Sequence, residues 1–524
     1  MGNRDRKLIV KRSVSLVAVF ACVSTANGAE PFQFHEAVQP PRRVQIVANG
    51  GLSMLAPENS VEAVRESAND YIEWAAVAVG RTSDGTHVIV SSKPYLVNGV
   101  EKQAEQLTLA ELRQIDLGGA FAPRYRGMHP STLVEMLAAA KDRINLVLYC
   151  NDVSPASFVK EIEDAKMQSQ VVLAGDQMLL SEIRDISGSA LPTMAPFDRR
   201  SSLEVFEATR SPAVALLTAR DATADRCRLL NGYGYKVLVS VLGEKIDQPQ
   251  TWLQVIEAGA DLILTDHPAE VRFAEVRRRI PQFPVMIACH RGANRYAPEN
   301  TLPAITLAAT LGADFIEIDI RTTQDGKFVL VHDGKLDRTT NGKGPVKEQT
   351  AVAVAALDAG SWFGAPFAGL KVPTFDEGLQ ALGRHSQAYL DAKDIAPEAL
   401  LAAIRKHGLM ERHAVYASPD YCRRLKELEP AVRLMPPLRD PEDLPQVAEL
   451  HPYCVDANWS KLSKDVIDRC HAAGIKVFSD ALGPHETLDD YSQAMDWGID
   501  LIQTDYPLRV LRAIELRAPA QNQK

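Results

Sequence analysis

The sequence predicts two consecutive parallel α/β barrels of the (β/α)8 type. The chain has 524 residues, which is enough for two such domains because one takes about 250 residues. The same short motifs occur in both halves of the chain, in the same order. Within each half, short apolar stretches typical of strands alternate with amphipathic stretches typical of helices, which is the pattern of a parallel α/β fold.

The internal repeat keeps almost one register along the chain. The segment Ala56-Pro-Glu-Asn-Ser60 recurs as Ala297-Pro-Glu-Asn-Thr301, so positions 58 and 299 are 241 residues apart. Near the ends of the two halves, an apolar run closes with Thr-Asp at Asp266 and again at Asp505, which are 239 residues apart. A nearly constant offset over this length indicates two copies of one fold rather than chance motifs.

These patterns divide the chain into four parts. We expect a signal peptide over residues 1–28, a first barrel over 42–275, a second barrel over 284–512 and a flexible tail over 513–524. The joint Glu275-Val-Arg-Arg-Arg-Ile-Pro-Gln-Phe-Pro284 carries three arginines and two prolines. Charge and proline are typical of an exposed linker.

The N-terminal stretch predicts export to the periplasm or the extracellular space. A basic segment is followed by an apolar run over residues 13–24 and by the small-residue sequence Ala26-Asn-Gly28, as in a secretory signal. An uncleaved anchor is one alternative, and a lipoprotein attached through Cys22 is another. No later stretch is long and apolar enough to predict a membrane helix in the mature chain.

Composition narrows the classes of partner. The formal net charge of −9 argues against nucleic acid as a partner, although a local basic site could still bind a small phosphodiester. The seven cysteines show neither a Cys-x-x-Cys pair nor a zinc-binding spacing. We therefore expect the cysteines of the barrels to be free, buried thiols.

Two acidic residues interrupt the apolar strand pattern Asp314-Phe-Ile-Glu-Ile-Asp-Ile320. Alternate side chains of a strand share a face, so Glu317 and Asp319 point the same way. Carboxylates so placed repel each other and are costly to desolvate without a partner. A hard cation with oxygen ligands resolves the repulsion, and a surface strand with ion pairs is the alternative.

Two histidines follow strand-like stretches in the same half of the chain. His290 ends Met286-Ile-Ala-Cys, and His332 ends Phe328-Val-Leu-Val. Parallel α/β folds place reactive groups at such strand ends. Together with Arg291 and the two carboxylates, the histidines predict a site for an anionic ester.

The second half resembles the glycerophosphodiester phosphodiesterase family over about residues 284 to 512. The motifs that carry the resemblance are His290-Arg291, Pro298-Glu-Asn300, Glu317-x-Asp319, His332-Asp333, Arg338-Thr-Thr-Asn-Gly342, Leu357-Asp-Ala-Gly-Ser-Trp-Phe363 and Val372-Pro-Thr374. The resemblance implies a barrel of the phospholipase C-like phosphodiesterase type. It also implies metal-dependent hydrolysis of glycerophosphodiesters to glycerol 3-phosphate and an alcohol.

The resemblance implies a metal site with three carboxylates. Its third ligand is a carboxylate two residues before a lysine, and here Asp391 precedes Lys393 where the family usually has Glu. Together with Glu317 and Asp319 it makes an all-oxygen site that suits Ca²⁺ or Mg²⁺, with Mn²⁺ as a further alternative.

The resemblance also implies the roles of the other site residues. His290 and His332 are the acid/base pair, and Arg291 and Lys393 hold the phosphoryl oxygens. Glu299 either joins the ligands or orients Arg291. Two aromatic residues are assigned to the alcohol side of the pocket, with a core role as the alternative: Trp362 and Phe363.

The first half has lost this site. By register, Asn49 stands where the second copy has His290, and the two strand carboxylates become alanines. The acid Glu58 is retained opposite Glu299. The other site positions carry uncharged residues: Ala76 for Glu317, Ala78 for Asp319, Ser91 for His332, Ser92 for Asp333, Tyr149 for Asp391 and Asn151 for Lys393. We therefore expect a non-catalytic first barrel that packs on the second or binds a ligand.

Two alternative functions share the same residues. One is a phosphodiesterase for another substrate, such as a teichoic-acid-like polymer, a phosphoinositide or a lysophospholipid. The other is a non-catalytic binding protein with a vestigial site. The complete set of site residues in the second half favours an enzyme.

Overall fold

The structure, a computed structural model, describes residues 31–208 and 213–518. The predicted signal peptide and Cys22 lie outside the described residues. Within them, no helix combines the length and the apolar character needed to cross a membrane. The cysteines at 150, 227, 289, 422, 454 and 470 are buried and free, which confirms the prediction for that part of the chain.

The first half forms a nearly closed parallel barrel. Its strands follow the order β7-β6-β2-β1-β11-β10-β9-β8, and a parallel bridge between Leu173 and Thr193 joins the two ends. Strand β3 pairs antiparallel with β2 as an appendage, and β4 and β5 form a separate hairpin. The strands are β1 (Gln45–Asn49), β2 (Trp74–Arg81), β3 (His87–Ile89), β4 (Tyr95–Val97), β5 (Val100–Lys102), β6 (Asn145–Cys150), β7 (Val171–Gly175), β8 (Met194–Pro196), β9 (Val214–Thr218), β10 (Lys236–Ser240) and β11 (Leu262–Thr265).

The second half repeats this arrangement in the order β17-β16-β15-β13-β12-β21-β20-β19-β18. Strands β17 and β18 are two short pieces on either side of Pro436, which has no N–H to donate to a neighbouring strand. The prediction of two tandem barrels is confirmed. The strands are β12 (Met286–Cys289), β13 (Phe315–Thr322), β14 (Phe328–Leu330), β15 (Gln387–Ala392), β16 (His413–Tyr416), β17 (Leu434–Met435), β18 (Pro437–Leu438), β19 (Cys454–Ala457), β20 (Lys476–Asp480) and β21 (Leu501–Thr504).

Equivalent helices begin with the same signals in both barrels. The side chains of Thr132 and Thr374 each accept a hydrogen bond from the N–H of a glutamate three residues later. The carboxylate of that glutamate accepts a hydrogen bond from the N–H of the threonine. The helices of the first barrel are α1 (Val61–Asn69), α2 (Leu109–Leu112), α3 (Leu117–Phe121), α4 (Leu133–Ala140), α5 (Pro155–Ala165), α6 (Gln177–Ile186), α7 (Leu203–Ala208), α8 (Ala224–Gly232), α9 (Pro249–Ala258) and α10 (Pro268–Arg279). Those of the second are α11 (Leu302–Leu311), α12 (Ala351–Ala356), α13 (Phe375–Ala381), α14 (Pro397–Lys406), α15 (Pro419–Leu428), α16 (Leu444–Ala448), α17 (Lys464–Ala472), α18 (Leu488–Trp497) and α19 (Pro507–Arg517).

Two predicted boundaries are wrong. Helix α10 continues into the first part of the expected exposed linker and ends at Arg279. Val276, which lies in this part, is fully buried. Helix α19 continues to Arg517, so the flexible tail does not begin at residue 513, and Ala513 and Ile514 are buried. The reason is that each of these helices packs against the other, which buries faces that look exposed within one barrel.

A buried network of charges lies where α10 and α19 meet. Arg42 Nη1 lies 2.6 Å from Glu73 Oε1, and Arg42 Nη2 lies 2.5 Å from Glu515 Oε2. Arg272 Nη2 binds the other oxygen of Glu73 at 2.7 Å, and Arg279 Nη2 lies 2.6 Å from Glu515 Oε1. Hydrogen-bonded partners offset the cost of burying these charges.

Candidate active site

Three carboxylates meet at the carboxyl ends of neighbouring strands in the second barrel. Glu317 and Asp319 lie on β13 with 3% and 1% of their surface exposed. Asp391 on β15 is the direct strand partner of Asp319, which brings the third carboxylate to the same face. One oxygen from each of the three lies within 4.8 Å of the others, so the predicted ligand set forms one cluster.

Neighbouring donors orient these carboxylates. The backbone N–H of Arg291 donates to Glu317 Oε2 at 2.6 Å, and Asn300 Nδ2 donates to Asp319 Oδ2 at 2.7 Å. Lys393 Nζ lies 2.5 Å from Asp391 Oδ2 and 3.2 Å from Asp319 Oδ1. Lys393 therefore supplies positive charge to the cluster itself, besides its predicted contact with phosphate.

The electrostatics of the cluster fit a divalent cation. Burial raises the pKa of Glu317 well above its usual range, and the charges of Asp319 and Asp391 raise it further. Burial also raises the pKa of Asp391, against the opposing charge of Lys393. Asp319 Oδ1 is buried and, despite the nearby ammonium of Lys393, makes no hydrogen bond of normal geometry in the structure. Crowded, buried carboxylates of this kind are what Ca²⁺ or Mg²⁺ binds.

His290 is held by two residues from outside the predicted set. Its Nδ1 lies 2.8 Å from Asp505 Oδ1, and Asn294 Nδ2 donates to the same oxygen at 2.6 Å. Burial would raise the pKa of Asp505, but the hydrogen bond and charge of His290 hold it below its usual range. With Nδ1 on the carboxylate, Nε2 is the ring nitrogen left to exchange a proton with substrate.

His332 belongs to a chain of ion pairs that crosses the barrel mouth. Its Nδ1 lies 2.8 Å from Asp333 Oδ1, and Arg338 Nε donates to Asp333 Oδ2 at 2.8 Å. The hydrogen bonds from Arg338 are the first cause of an Asp333 pKa well below the usual range. Arg338 also donates to Glu299, which accepts from Arg291 Nη1 at 2.8 Å. Glu299 therefore contacts Arg291 directly, and its role in orienting Arg291 or in joining the ligands stays a prediction.

Arg291 is placed by an unusual backbone conformation. Its φ of +53° lies in the left-handed region, which costs energy in a residue with a Cβ. The turn is tight because Gly292 packs on helix α11, where an added Cβ would lie 2.7 Å from the carbonyl carbon of Ala304. Arg291 Nε lies 3.6 Å from Asp319 Oδ2 and, although buried, makes no hydrogen bond in the structure.

One of the two predicted aromatic residues, Phe363, lies at the boundary between the barrels. Trp362 Nε1 donates to the carbonyl of Ala359 at 2.9 Å, and the Trp362 and Phe363 rings are 5.6 Å apart. Phe363 is buried and contacts Arg124 of the first barrel, whose guanidinium carbon lies 4.7 Å from the ring centroid. Phe363 also lines a 340 Å³ cavity with Asn294 and Asp505.

A larger cavity of 580 Å³ adjoins Asp391 of the ligand cluster and is also lined by Lys393, Tyr416 and Arg439. Two further acids near these groups were not predicted. Burial raises the pKa of Asp480 to about 6, with His290 opposing the shift. Burial also raises the pKa of Asp456 well above its usual range, together with the charges of Asp480 and Asp391. Asp456 within β19 and Asp480 at the end of β20 interrupt apolar strand patterns, which is the sequence signal that could have indicated them.

Comparison with known proteins gives a consistent result. Residues 290–509 match the Glycerophosphoryl diester phosphodiesterase family. A glycerophosphodiester phosphodiesterase of Bacillus subtilis (strain 168) is 31% identical, with 43% of this chain and 84% of the relative aligned. One from Caldanaerobacter subterraneus is 30% identical over 44% of this chain and 97% of the relative. The crystal structure of a glycerophosphodiester phosphodiesterase from Agrobacterium tumefaciens has 31% identity, covers 44% of this chain and 99% of its own, and gives a TM-score of 0.41.

Proposed function

The chain belongs to the glycerophosphodiester phosphodiesterase family and is a phosphoric diester hydrolase, and from this premise we propose that its second barrel converts glycerophosphodiesters to glycerol 3-phosphate and an alcohol in a metal-dependent reaction. The observation that carries the proposal is the trio Glu317, Asp319 and Asp391, with one oxygen from each within 4.8 Å of the others.

The three carboxylates would hold the cation, either Ca²⁺ or Mg²⁺. A bound divalent cation would stabilise negative charge on the phosphoryl oxygens and favour ionisation of a neighbouring hydroxyl. Arg291 and Lys393 would orient the phosphoryl group through charge-assisted hydrogen bonds. The pairing of Arg291 with Glu299 at 2.8 Å supports this role, because it fixes the direction of the guanidinium.

The two histidines would move the protons. In the first step the glycerol 2-hydroxyl attacks phosphorus, a new P–O bond forms, and the P–O bond to the alcohol breaks. One imidazole takes the hydroxyl proton and the other gives a proton to the departing alcohol. Water then opens the cyclic phosphate with the two roles reversed. The ion pairs that lead from His332 to Arg291, the residue after His290, support a shared site.

We also propose that the first barrel is non-catalytic and packs on the second. Asp70 of the first barrel is 1% exposed and accepts hydrogen bonds from Arg295 Nε and the Tyr296 hydroxyl, both at 3.0 Å. Those residues belong to the loop over residues 290–296 that also carries His290 and Asn294. The first barrel would thus hold the loop that carries a catalytic histidine. Export across the membrane is proposed from residues 1–28 alone.

Release of glycerol 3-phosphate from glycerophosphocholine, with and without EDTA, tests the activity. We expect EDTA to abolish release and added Ca²⁺ or Mg²⁺ to restore it. Glu317→Ala should remove activity while the circular dichroism spectrum stays native. Ser91→Ala, at the first-barrel position equivalent to His332, is the matched control and should remain active. Undiminished release in EDTA or by Glu317→Ala would overturn the proposal.

A further inference from the structure

The first barrel has a cavity at the place where the second has its catalytic site. The cavity measures 540 Å³, which is within the usual range for small-molecule pockets, about 300–1,000 Å³. Its lining includes Asn49, Ala76, Ser91, Tyr149 and Asn151, the register equivalents of the proposed catalytic, metal and phosphate-binding residues. Loss of those residues has therefore left an open mouth rather than a filled core.

The hydrogen bonds that shape this mouth are retained. Asn49 Nδ2 donates to Asp266 Oδ1 at 2.9 Å, as the ring of His290 pairs with Asp505 at 2.8 Å in the second barrel. Asn59 Oδ1 accepts from the N–H of Ala78 at 3.3 Å, as Asn300 Oδ1 accepts from the N–H of Asp319 at 3.0 Å. The frame of the site is therefore the same in both copies.

The tight loop turn is retained as well. Gly51 has a φ of +80°, and an added Cβ would lie 2.6 Å from the carbonyl carbon of Ala63. Gly292 makes the equivalent approach to Ala304 at 2.7 Å with a φ of +78°. Only glycine tolerates both the positive φ and the close approach of the neighbouring backbone. The first barrel therefore keeps the backbone geometry that opens the pocket.

The chemistry of the lining has changed from charged to neutral and polar. Amides replace a histidine and a lysine at Asn49 and Asn151, and hydroxyls replace a histidine and two aspartates at Ser91, Ser92 and Tyr149. Burial raises the pKa of Tyr149, so its hydroxyl stays protonated and can both donate and accept. Apolar residues at these positions would have been enough to remove catalytic activity. Amides and hydroxyls instead preserve hydrogen-bonding capacity at its rim.

The remaining charges disfavour an anionic ligand. Glu58 and Glu105 line the cavity, and the cation Arg81 is paired with Asp152 at 3.0 Å. A phosphate would therefore meet acidic groups without an unpaired cation among the lining residues described. Quaternary ammonium groups are held by several aromatic faces, and among the residues described around this cavity Tyr149 alone supplies one. A neutral ligand rich in hydroxyl groups fits best.

We propose that the first barrel is a binding site for neutral polyhydroxy compounds, of the size of a glycerol or sugar-alcohol unit. The amides and hydroxyls at the mouth would exchange hydrogen bonds with the ligand hydroxyls, and Ala76 and Ala78 would leave room where carboxylates stand in the second barrel. This site acts beside the catalytic one and does not depend on hydrolysis.

Saturation-transfer NMR on the full chain in EDTA tests the proposal, with glycerol, myo-inositol and sn-glycerol 3-phosphate as probes. At the first-barrel site we expect saturable binding of the two polyols and weaker binding of the phosphate. Each lost hydrogen bond weakens binding by a few fold, so combining Asn151→Ala with Ser91→Ala should weaken polyol binding by about tenfold. Lys393→Ala, the matched change in the second barrel, should leave polyol binding intact.

Three results would overturn the proposal. They are the absence of saturable polyol binding, binding that survives the first-barrel pair but is lost in Lys393→Ala, and preference for sn-glycerol 3-phosphate at the first-barrel site. The double variant should still release glycerol 3-phosphate from glycerophosphocholine. Hydrolysis and polyol binding therefore succeed or fail separately, and failure of one proposal can be told from failure of the other.

Discussion

Replacing Asp70 by asparagine tests whether the first barrel positions the catalytic loop of the second. Asp70 accepts from Arg295 and Tyr296, and Arg295 Nη2 also lies 2.7 Å from Glu66 Oε2. Tyr296 is fully buried, so water cannot replace a lost partner. The change keeps the shape of the side chain and removes the charge that holds these two residues.

The expected cost follows from these contacts. Weakening hydrogen bonds to a buried charged group should lower the free energy of unfolding by about 1–3 kcal/mol. Asp70→Ala, which leaves Arg295 with a reduced set of buried partners, should cost about 3–5 kcal/mol. A displacement of about 1 Å in a catalytic group lowers the rate by about 100-fold. We therefore expect kcat of Asp70→Asn to fall by about 10- to 100-fold.

Steady-state kinetics and thermal unfolding of the full chain separate positioning from stability. In Asp70→Asn we expect kcat to fall with little change in KM, and the pH profile of kcat to shift because His290 loses its fixed partner geometry. Glu515→Gln is the matched control, since Glu515 is 3% exposed and binds Arg42 between the barrels, away from the loop. It should lower Tm and leave kcat unchanged well below Tm.

A positioning role for Asp70 is refuted if Asp70→Asn lowers Tm as Glu515→Gln does but keeps the kcat and pH profile of the wild type. That result would mean that the second barrel holds residues 290–296 without help. Equal losses of kcat in both variants would also contradict the role, since a general loosening of the boundary would then explain the effect.

Two further predictions concern the histidines and acid stability. His290→Asn and His332→Ser, which introduce the first-barrel residues, should each lower kcat by about 10²- to 10⁴-fold, and a loss below tenfold in steady-state assays would contradict their role in proton transfer. Although burial opposes it, Arg42 lowers the pKa of Glu515 to about 2 from an ordinary 4.5. The stabilisation is therefore complete above pH 4.5 and is lost as pH falls towards about 2. Denaturant titrations should show a shallower acid dependence in Glu515→Gln, and an unchanged slope would refute that assignment.

The spacing of residues was enough to predict two of the three residues of the ligand cluster. Strand alternation placed Glu317 and Asp319 on one face, and their side chains lie together in the structure. The position of Asp391 beside them depends on the pairing of β13 with β15, and Asp391 was predicted only from the resemblance to the family. Strand-end positions likewise indicated His290 and His332. Strand alternation and strand-end positions are local features, so the sequence alone indicates them.

The partners of the histidines depend on contacts between distant segments. Asp505 lies 215 positions after His290, and in the sequence it stood out only as part of the repeat that it shares with Asp266. The arginines after Glu275 predicted an exposed linker. Arg279 instead pairs with Glu515, which comes from the other barrel and is far away in the sequence. In both cases the decisive contact is with a residue far away in the sequence. Neither composition nor periodicity predicts such contacts.

Calorimetric titration of Ca²⁺ or Mg²⁺ into the metal-free chain tests the central claim most directly. We expect one divalent-cation site per chain in the wild type, and loss of that site in Glu317→Gln while binding in the Ser91→Ala control is unchanged. A wild-type chain that binds neither cation, or a Glu317→Gln chain that binds as tightly as the wild type, would contradict the claim.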